Sequence, residues 1–221
     1  MRCSCCQQEV IKNVTLRELF FSRNHLCHLC EEKFCRIEVK TSCRGCGRPN
    51  FSGLCNDCRI WEKQLGFVME NRGIFQYDSG FQEWIEAYKF KGDYRIRGAF
   101  SQELVNELRN YPDYLICPLP LSPQRFKQRG FNQVQGCLNA ANSRYDCLLK
   151  RIERSPQSEK SREERLKMEQ PFELAVSKNK IRNQKVLLID DVYTTGRTLF
   201  HGAELLYKND VETVKSLTFA R

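Results

Sequence analysis

The first 60 residues carry four Cys-x2-Cys pairs, Cys3/Cys6, Cys27/Cys30, Cys43/Cys46 and Cys55/Cys58, and no other feature limits so sharply what the chain can fold into. Two thiolates from one tight turn reach a single tetrahedral ion, and a second such turn completes its shell. The pairs therefore predict closed, structural Zn²⁺ sites with no position left for water. The segment is short of helical periodicity and rich in turn-forming pieces such as CRGCGRPNFSG, so metal must supply stability that a small apolar core does not. The first two pairs are separated by 20 residues and the last two by eight. Sequential pairing and interleaved pairing, first with third and second with fourth, fit these spacings alike. Cys5, Cys35, Cys117, Cys137 and Cys147 are left over, and Cys5, His25 and His28 are read as bystanders to the metal. Metal is preferred to disulfides because the start, MRCSCCQQEV, lacks the apolar core of a secretory signal, and no window approaches the roughly 18 apolar residues of a spanning helix. A cytoplasmic protein is expected, at most peripheral to a membrane.

After Cys58 the composition changes. With 221 residues, 41% of them hydrophobic, the chain suits a cysteine-rich zinc unit over 1–60 and one larger domain over 61–221. GIFQYDSG (73–80) reads as a strand and turn. Phe81, Trp84, Ile85 and Tyr88 follow at helical spacing, a stripe that belongs in a core. FSQELVNELRNY (100–111) predicts a helix with Leu104, Val105 and Leu108 on one face, closed near Pro112. YLICPLP (114–120) is an apolar strand, 131–142 a helix, CLLKRIE (147–153) a strand, VLLID a strand, 197–207 a helix and TVKSLTFA (213–220) a last strand. Strands alternating with helices indicate a parallel α/β sheet flanked by helices.

One of these strands opens on chemistry. In VLLIDDVYTTGRTL (186–199) the run from Val186 to Ile189 is continuously apolar, as in a strand buried on both faces. Ligands of open α/β sheets bind beyond the carboxyl ends of such strands. Asp190 and Asp191 thus stand at the mouth of a site, where carboxylates accept hydrogen bonds from sugar hydroxyls. Thr194, Thr195, Gly196, Arg197 and Thr198 then lead into a helix, offering backbone N–H groups and hydroxyls to an anion. Acids for a ribose beside amides for its phosphate describe a ribose-5-phosphate site. A P-loop ATPase is excluded, because G-x-x-x-x-G-K-[ST] occurs nowhere.

IDDVYTTGRT resembles the phosphoribosyl-pyrophosphate (PRPP) signature of type I phosphoribosyltransferases. Nearly the whole chain is similar to the ComF family, and specifically to its ComFC-like late competence proteins: the N-terminal cysteine pairs, YKFKGD (88–93), PLPLS (118–122), RGFNQ (129–133), the basic linker before ERLK, and the signature itself. The resemblance implies a phosphoribosyltransferase-like parallel sheet preceded by a small zinc-binding domain of the four-cysteine type. It implies that Asp190 and Asp191 hold the ribose hydroxyls, that 194–198 wrap the 5-phosphate, and that the loop 119–129, with Arg125, faces pyrophosphate and Mg²⁺. It adds Arg129, Asn132 and Gln133 as site residues, with Arg129, Asp190 and Asp191 catalytic, and makes 154–170 a hood loop.

The formal charge is +9; eight thiolates and two Zn²⁺ would lower it to about +5. Local basic clusters persist at Lys89, Lys91, Arg95 and Arg97, at Arg125, Lys127 and Arg129, and at Lys150, Arg151, Arg154, Lys160, Arg162 and Arg165. Two classes of function follow. In one, implied by the resemblance, a competence protein handles incoming single-stranded DNA beside a ComFA-type helicase and other competence proteins, with Lys89, Lys91, Arg95, Arg125 and Lys127 along the phosphate backbone. In the other, an enzyme transfers phosphoribose from PRPP, with Mg²⁺ and arginines neutralising the departing pyrophosphate. No sequence feature names an acceptor.

Overall fold

The computed structural model describes residues 2–10, 26–152 and 170–221. The expectations for His25 and for the hood loop up to residue 169, including Arg154, Lys160, Arg162 and Arg165, lie outside the described residues. The strands are β1 (Asn71–Phe75), β2 (Tyr114–Pro118), β3 (Leu149–Arg151), β4 (Phe172–Leu174), β5 (Lys185–Val192) and β6 (Thr213–Ala220). The helices are α1 (His28–Glu31), α2 (Asn56–Leu65), α3 (Ser79–Lys89), α4 (Ser101–Leu108), α5 (Pro123–Arg129), α6 (Gln133–Ala140), α7 (Lys178–Ile181) and α8 (Arg197–Tyr207). Four strands form a wholly parallel sheet in the order β1-β6-β5-β2.

The apolar run of β5 explains its central place. Val186, Leu187, Leu188 and Ile189 are each fully buried, and their alternation divides them between the two sides of the sheet. Val186 and Leu188 join Leu199, Phe200, Ala203 and Leu206 of α8. Leu187 and Ile189 join Phe81, Trp84, Ile85 and Tyr88 of α3, Leu104 of α4, and Val134, Cys137 and Leu138 of α6. The helical stripe at 81–88 is thus core, as its spacing predicts, with about 1.5–3 kcal/mol gained for each large side chain withdrawn from water.

Three features differ from the sequence reading. CLLKRIE does not join the parallel sheet: β3 pairs antiparallel with β4, Leu149 against Leu174 and Arg151 against Phe172. Both strands run buried, exposed, half-buried, an alternation suited to a pair with one wet face and not to a strand covered on both. Next, most of the expected loop 119–129 is helix α5. Ser122 accepts a hydrogen bond from Arg125 N–H, Pro123 occupies the first turn and Gly130 closes the helix at φ 81°, a start and stop signature legible in SPQRFKQRG. Finally, α2 runs through position 60, and Cys43, Cys46, Cys55 and Cys58 lie within the larger core beside Leu119, Tyr193 and Phe200.

Candidate functional site

The carboxyl end of β5 delivers Asp190 and Asp191 to the floor of a cavity of about 370 Å³. Asp191 is 9% exposed and pairs with Lys89 of α3, Nζ to Oδ2 2.7 Å. Gln133 Nε2 donates to the same oxygen, and Arg129 Nη1 donates to Gln133 Oε1. The ends of three helices therefore converge on one carboxylate. Asp190 Oδ1 accepts the Asp191 N–H at 2.9 Å. Burial, and then the charge of Asp191, push the Asp190 carboxyl up to about 7, while Lys89 and Arg151 oppose the shift. A carboxyl there exchanges its proton near neutrality.

The turn after β5 forms the adjoining wall, with Thr194 and Thr198 lining the cavity. Gly196 caps α8 at φ 79°, and a Cβ there would lie 2.2 Å from the Tyr193 hydroxyl; only glycine fits. Beyond it the N-terminus of an 11-residue helix provides free N–H groups and a favourable dipole for an anion. Arg125 and Arg151 also line the cavity, as do the exposed Tyr77, Glu86 and Phe90. Burial and neighbouring Arg125 lower the Arg151 pKa, against Asp190.

The cysteines gather sequentially: Cys3, Cys6, Cys27 and Cys30 in one cluster and Cys43, Cys46, Cys55 and Cys58 in the other, with the sulfurs of each cluster all within 4.8 Å of one another. Metal–thiolate bonds of about 2.3 Å set tetrahedral edges near 3.8 Å. Cys6–Cys27 at 3.7 Å, Cys43–Cys58 at 3.8 Å and Cys46–Cys55 at 3.6 Å match, so both clusters could hold a metal ion such as zinc. Backbone N–H groups of Cys27 and Cys55 donate to Cys3 and Cys43 sulfurs at 3.3 Å, the outer-shell support that fixes thiolates. A hydrogen bond from Cys58, and against burial the Arg221 guanidinium, bring Cys46 down to about 4. Cys5 and His28 stand outside both clusters; His28 faces Glu32.

Residues 94–221 match the Phosphoribosyl transferase domain family. Over the full length the chain is 37% identical to "Competence protein ComFC" of Streptococcus pneumoniae, covering 100% of both. The chain belongs to the ComFC family. Another relative, "Competence protein ComFC" of Bacillus subtilis, is 32% identical over 99% of this chain and 94% of its own. "Competence protein F" of Haemophilus influenzae is 27% identical over 92% and 93%. A hypoxanthine phosphoribosyltransferase from Staphylococcus aureus overlays with a TM-score of 0.33 at 19% identity, covering 54% of this chain and 59% of that one, too slight a likeness to carry an argument.

Within this ComFC-family chain, the residues picked from sequence fall into three groups. Lys89, Arg125, Gln133, Asp190, Asp191, Thr194 and Thr198 meet at the cavity, although Lys89 was expected on a DNA track. Arg129 and Asn132 stand behind it. Arg129 holds Gln133, and Asn132 caps α6 through the Val134 and Gln135 N–H groups while donating to Leu119 O at 2.9 Å. Thr195 and Arg197 are exposed, Arg197 donating to His201 at 3.4 Å. Lys91 and Lys127 are exposed, whereas Arg95 is held by both oxygens of Asp93. Tyr77, Glu86, Phe90 and Arg151 were missed as lining residues. The first three lie before residue 94, outside the matched domain, and of the four only Phe90 falls in a quoted motif, YKFKGD.

Proposed function

We propose that the cavity binds a PRPP-type ligand and that the chain serves competence, the role that the names of its relatives carry, by handling incoming single-stranded DNA in the cytoplasm with a ComFA-type helicase. One observation carries the ligand: the Asp190–Asp191 carboxylates lie in the same cavity as Thr194 and Thr198 at the start of α8, together with Arg125 and Arg151. Carboxylates accept from ribose hydroxyls, the loop and helix N-terminus receive the 5-phosphate, and two guanidiniums face the pyrophosphate. The carboxylates are hard oxygen donors suited to Mg²⁺, which supplies charge neutralisation on the phosphates when bound. Arg129 acts through Gln133, keeping its amide on Asp191.

Calorimetric titration of Mg-PRPP into the zinc-loaded protein tests the reading. Binding to wild type, and its loss in Asp190→Ala/Asp191→Ala, is expected; no binding to folded wild type sinks it. On the DNA side, exposed Lys91, Arg125 and Lys127 are the cations offered to phosphates, since Lys89 and Arg95 are engaged by Asp191 and Asp93.

A second reading, an active transferase, is favoured by the cavity, where Tyr77 and Phe90 are 45% and 77% exposed and offer flat apolar faces to a planar acceptor. Attack of the acceptor would form the new bond to the ribose carbon as the bond to pyrophosphate breaks. Acceptor-dependent release of pyrophosphate from PRPP would establish it, and a broad acceptor screen that releases none would remove it.

A further inference from the structure

Three consecutive carbonyls of the loop after β5 are gripped from the side of the second cysteine cluster. Arg221 Nη1 donates to Tyr193 O and to Thr194 O, each at 3.3 Å, while Nη2 of the same guanidinium donates to Cys46 Sγ at 3.3 Å. The guanidinium also lies over the Tyr193 ring, 4.8 Å from its centroid. Trp61 Nε1 donates to Thr195 O at 2.9 Å, and its indole stacks on Phe200 of α8 at 4.4 Å. Trp61 stands one turn after Cys58 on α2. Arg221 is itself fixed by β1, its N–H donating to Phe75 O and its carbonyl accepting from Tyr77 N–H. Its Nε is buried without a partner among the described residues, a cost that simple packing would avoid with an apolar side chain.

We propose that the second cysteine cluster anchors the phosphate-binding loop, with Arg221 and Trp61 as the positioning residues that join the two. The proposal rests on the ribose-phosphate reading of that loop. In a trans peptide the carbonyl and the next N–H point in opposite directions. Holding the carbonyls of Tyr193, Thr194 and Thr195 toward the cysteine cluster turns the N–H groups of residues 194–196 the other way, leaving them available to an anion. A loop so fixed does not have to be ordered by its ligand, and pre-organisation of this kind raises affinity without adding a contact. The metal unit thereby serves the site as well as the fold.

The test uses Arg221→Met, Trp61→Phe and the double variant, with elemental analysis of bound metal and amide hydrogen exchange across residues 193–200 in the ligand-free protein. Trp61→Phe keeps the stack on Phe200 and removes only the donor. Metal content should stay at the wild-type value while the hydrogen-bonded amides that flank the loop, Tyr193 on Ala220 O and Phe200 on Gly196 O, exchange about tenfold faster for each anchor lost, the scale of one or two hydrogen bonds, with the amides of β5 unchanged. Arg221→Lys keeps the charge beside Cys46 but not the fork, and should loosen the loop nearly as much. Unchanged loop protection overturns the proposal, as does full protection restored by lysine or loss of metal in Arg221→Met, which would make Arg221 part of the metal site itself. If wild type binds Mg-PRPP, the double variant should bind at least tenfold more weakly, and unaltered affinity again overturns the anchor. If wild type binds none, the ligand reading falls and loop exchange alone decides this one.

Discussion

Replacing Lys89 by methionine isolates the pair on which the cavity floor depends. Methionine fills most of the volume and leaves the Asp191 carboxylate, 9% exposed, without the ammonium 2.7 Å away. Removing one partner of a fully buried pair costs roughly 3–5 kcal/mol. Here Lys89 keeps 16% exposure, the cavity admits water, and Gln133 still donates to the same oxygen, which reduces the expectation to about 2–3 kcal/mol. For a chain of this size that lowers the thermal midpoint by about 4–12 °C. Lysine also opposes the rise in the Asp190 pKa, so the variant should hold its Asp190 proton to higher pH. The assay is thermal and urea unfolding of Lys89→Met, Asp191→Asn and the double variant, with metal content as the control for folding. A coupling energy of about 1–3 kcal/mol is expected. A midpoint within a degree of wild type, together with additive single effects, would refute the claim that Lys89 is spent on Asp191, and would return it to the surface track that its sequence neighbourhood suggests.

Other outcomes follow from the same geometry. Because the folded-state pKa of Asp190 is raised from 3.8 to about 7, its contribution to stability is full below pH 4 and is lost as pH rises toward 7; Asp190→Asn should flatten that slope in urea midpoints taken at pH 5 and 7.5. Binding of Mg-PRPP, which needs the carboxylate, should run the other way and weaken as pH falls below about 7. Gly196→Ala forces a side chain into the left-handed region at φ 79° and onto the Tyr193 hydroxyl, costing upwards of about 1–2 kcal/mol and abolishing ligand binding in the same titration. Elemental analysis should find two metal ions per chain, and Cys58→Ser should lose one with a large fall in thermal midpoint, because its cluster sits inside the main core. Lys91→Glu with Lys127→Glu should reduce both single-stranded DNA affinity and its salt slope; salt-independent binding would contradict a phosphate track.

Local chemistry was legible from the sequence wherever a signal is carried by neighbours in the chain. The Cys-x2-Cys turns, the unbroken apolar run of β5, the acids at its end, Gly196 and the helical stripe 81–88 each declare their role within a few residues, because turn geometry, strand burial and helix periodicity are properties of short segments. The pairing of cysteine turns was not among them, since both assignments satisfy the same spacings, and only the tertiary packing puts the third turn beside the fourth. The fate of charged side chains was equally out of reach. Lys89 and Lys91 read alike in YKFKGD, yet one is drawn inward to Asp191 and the other stays in water, because Lys89 is the last residue of α3 and Lys91 lies beyond its end. Arg151 and Arg221 carry no motif, and they reach the cavity wall and the loop because strands distant in sequence end side by side. Reading along the chain thus gave the strands of the parallel sheet, most of its helices and the kinds of group at the end of β5, but missed α5 and the β3–β4 pair. Which charges meet was left to the packing of distant segments, because a carboxylate withdrawn from water takes as partner whatever cation the fold brings within about 3 Å.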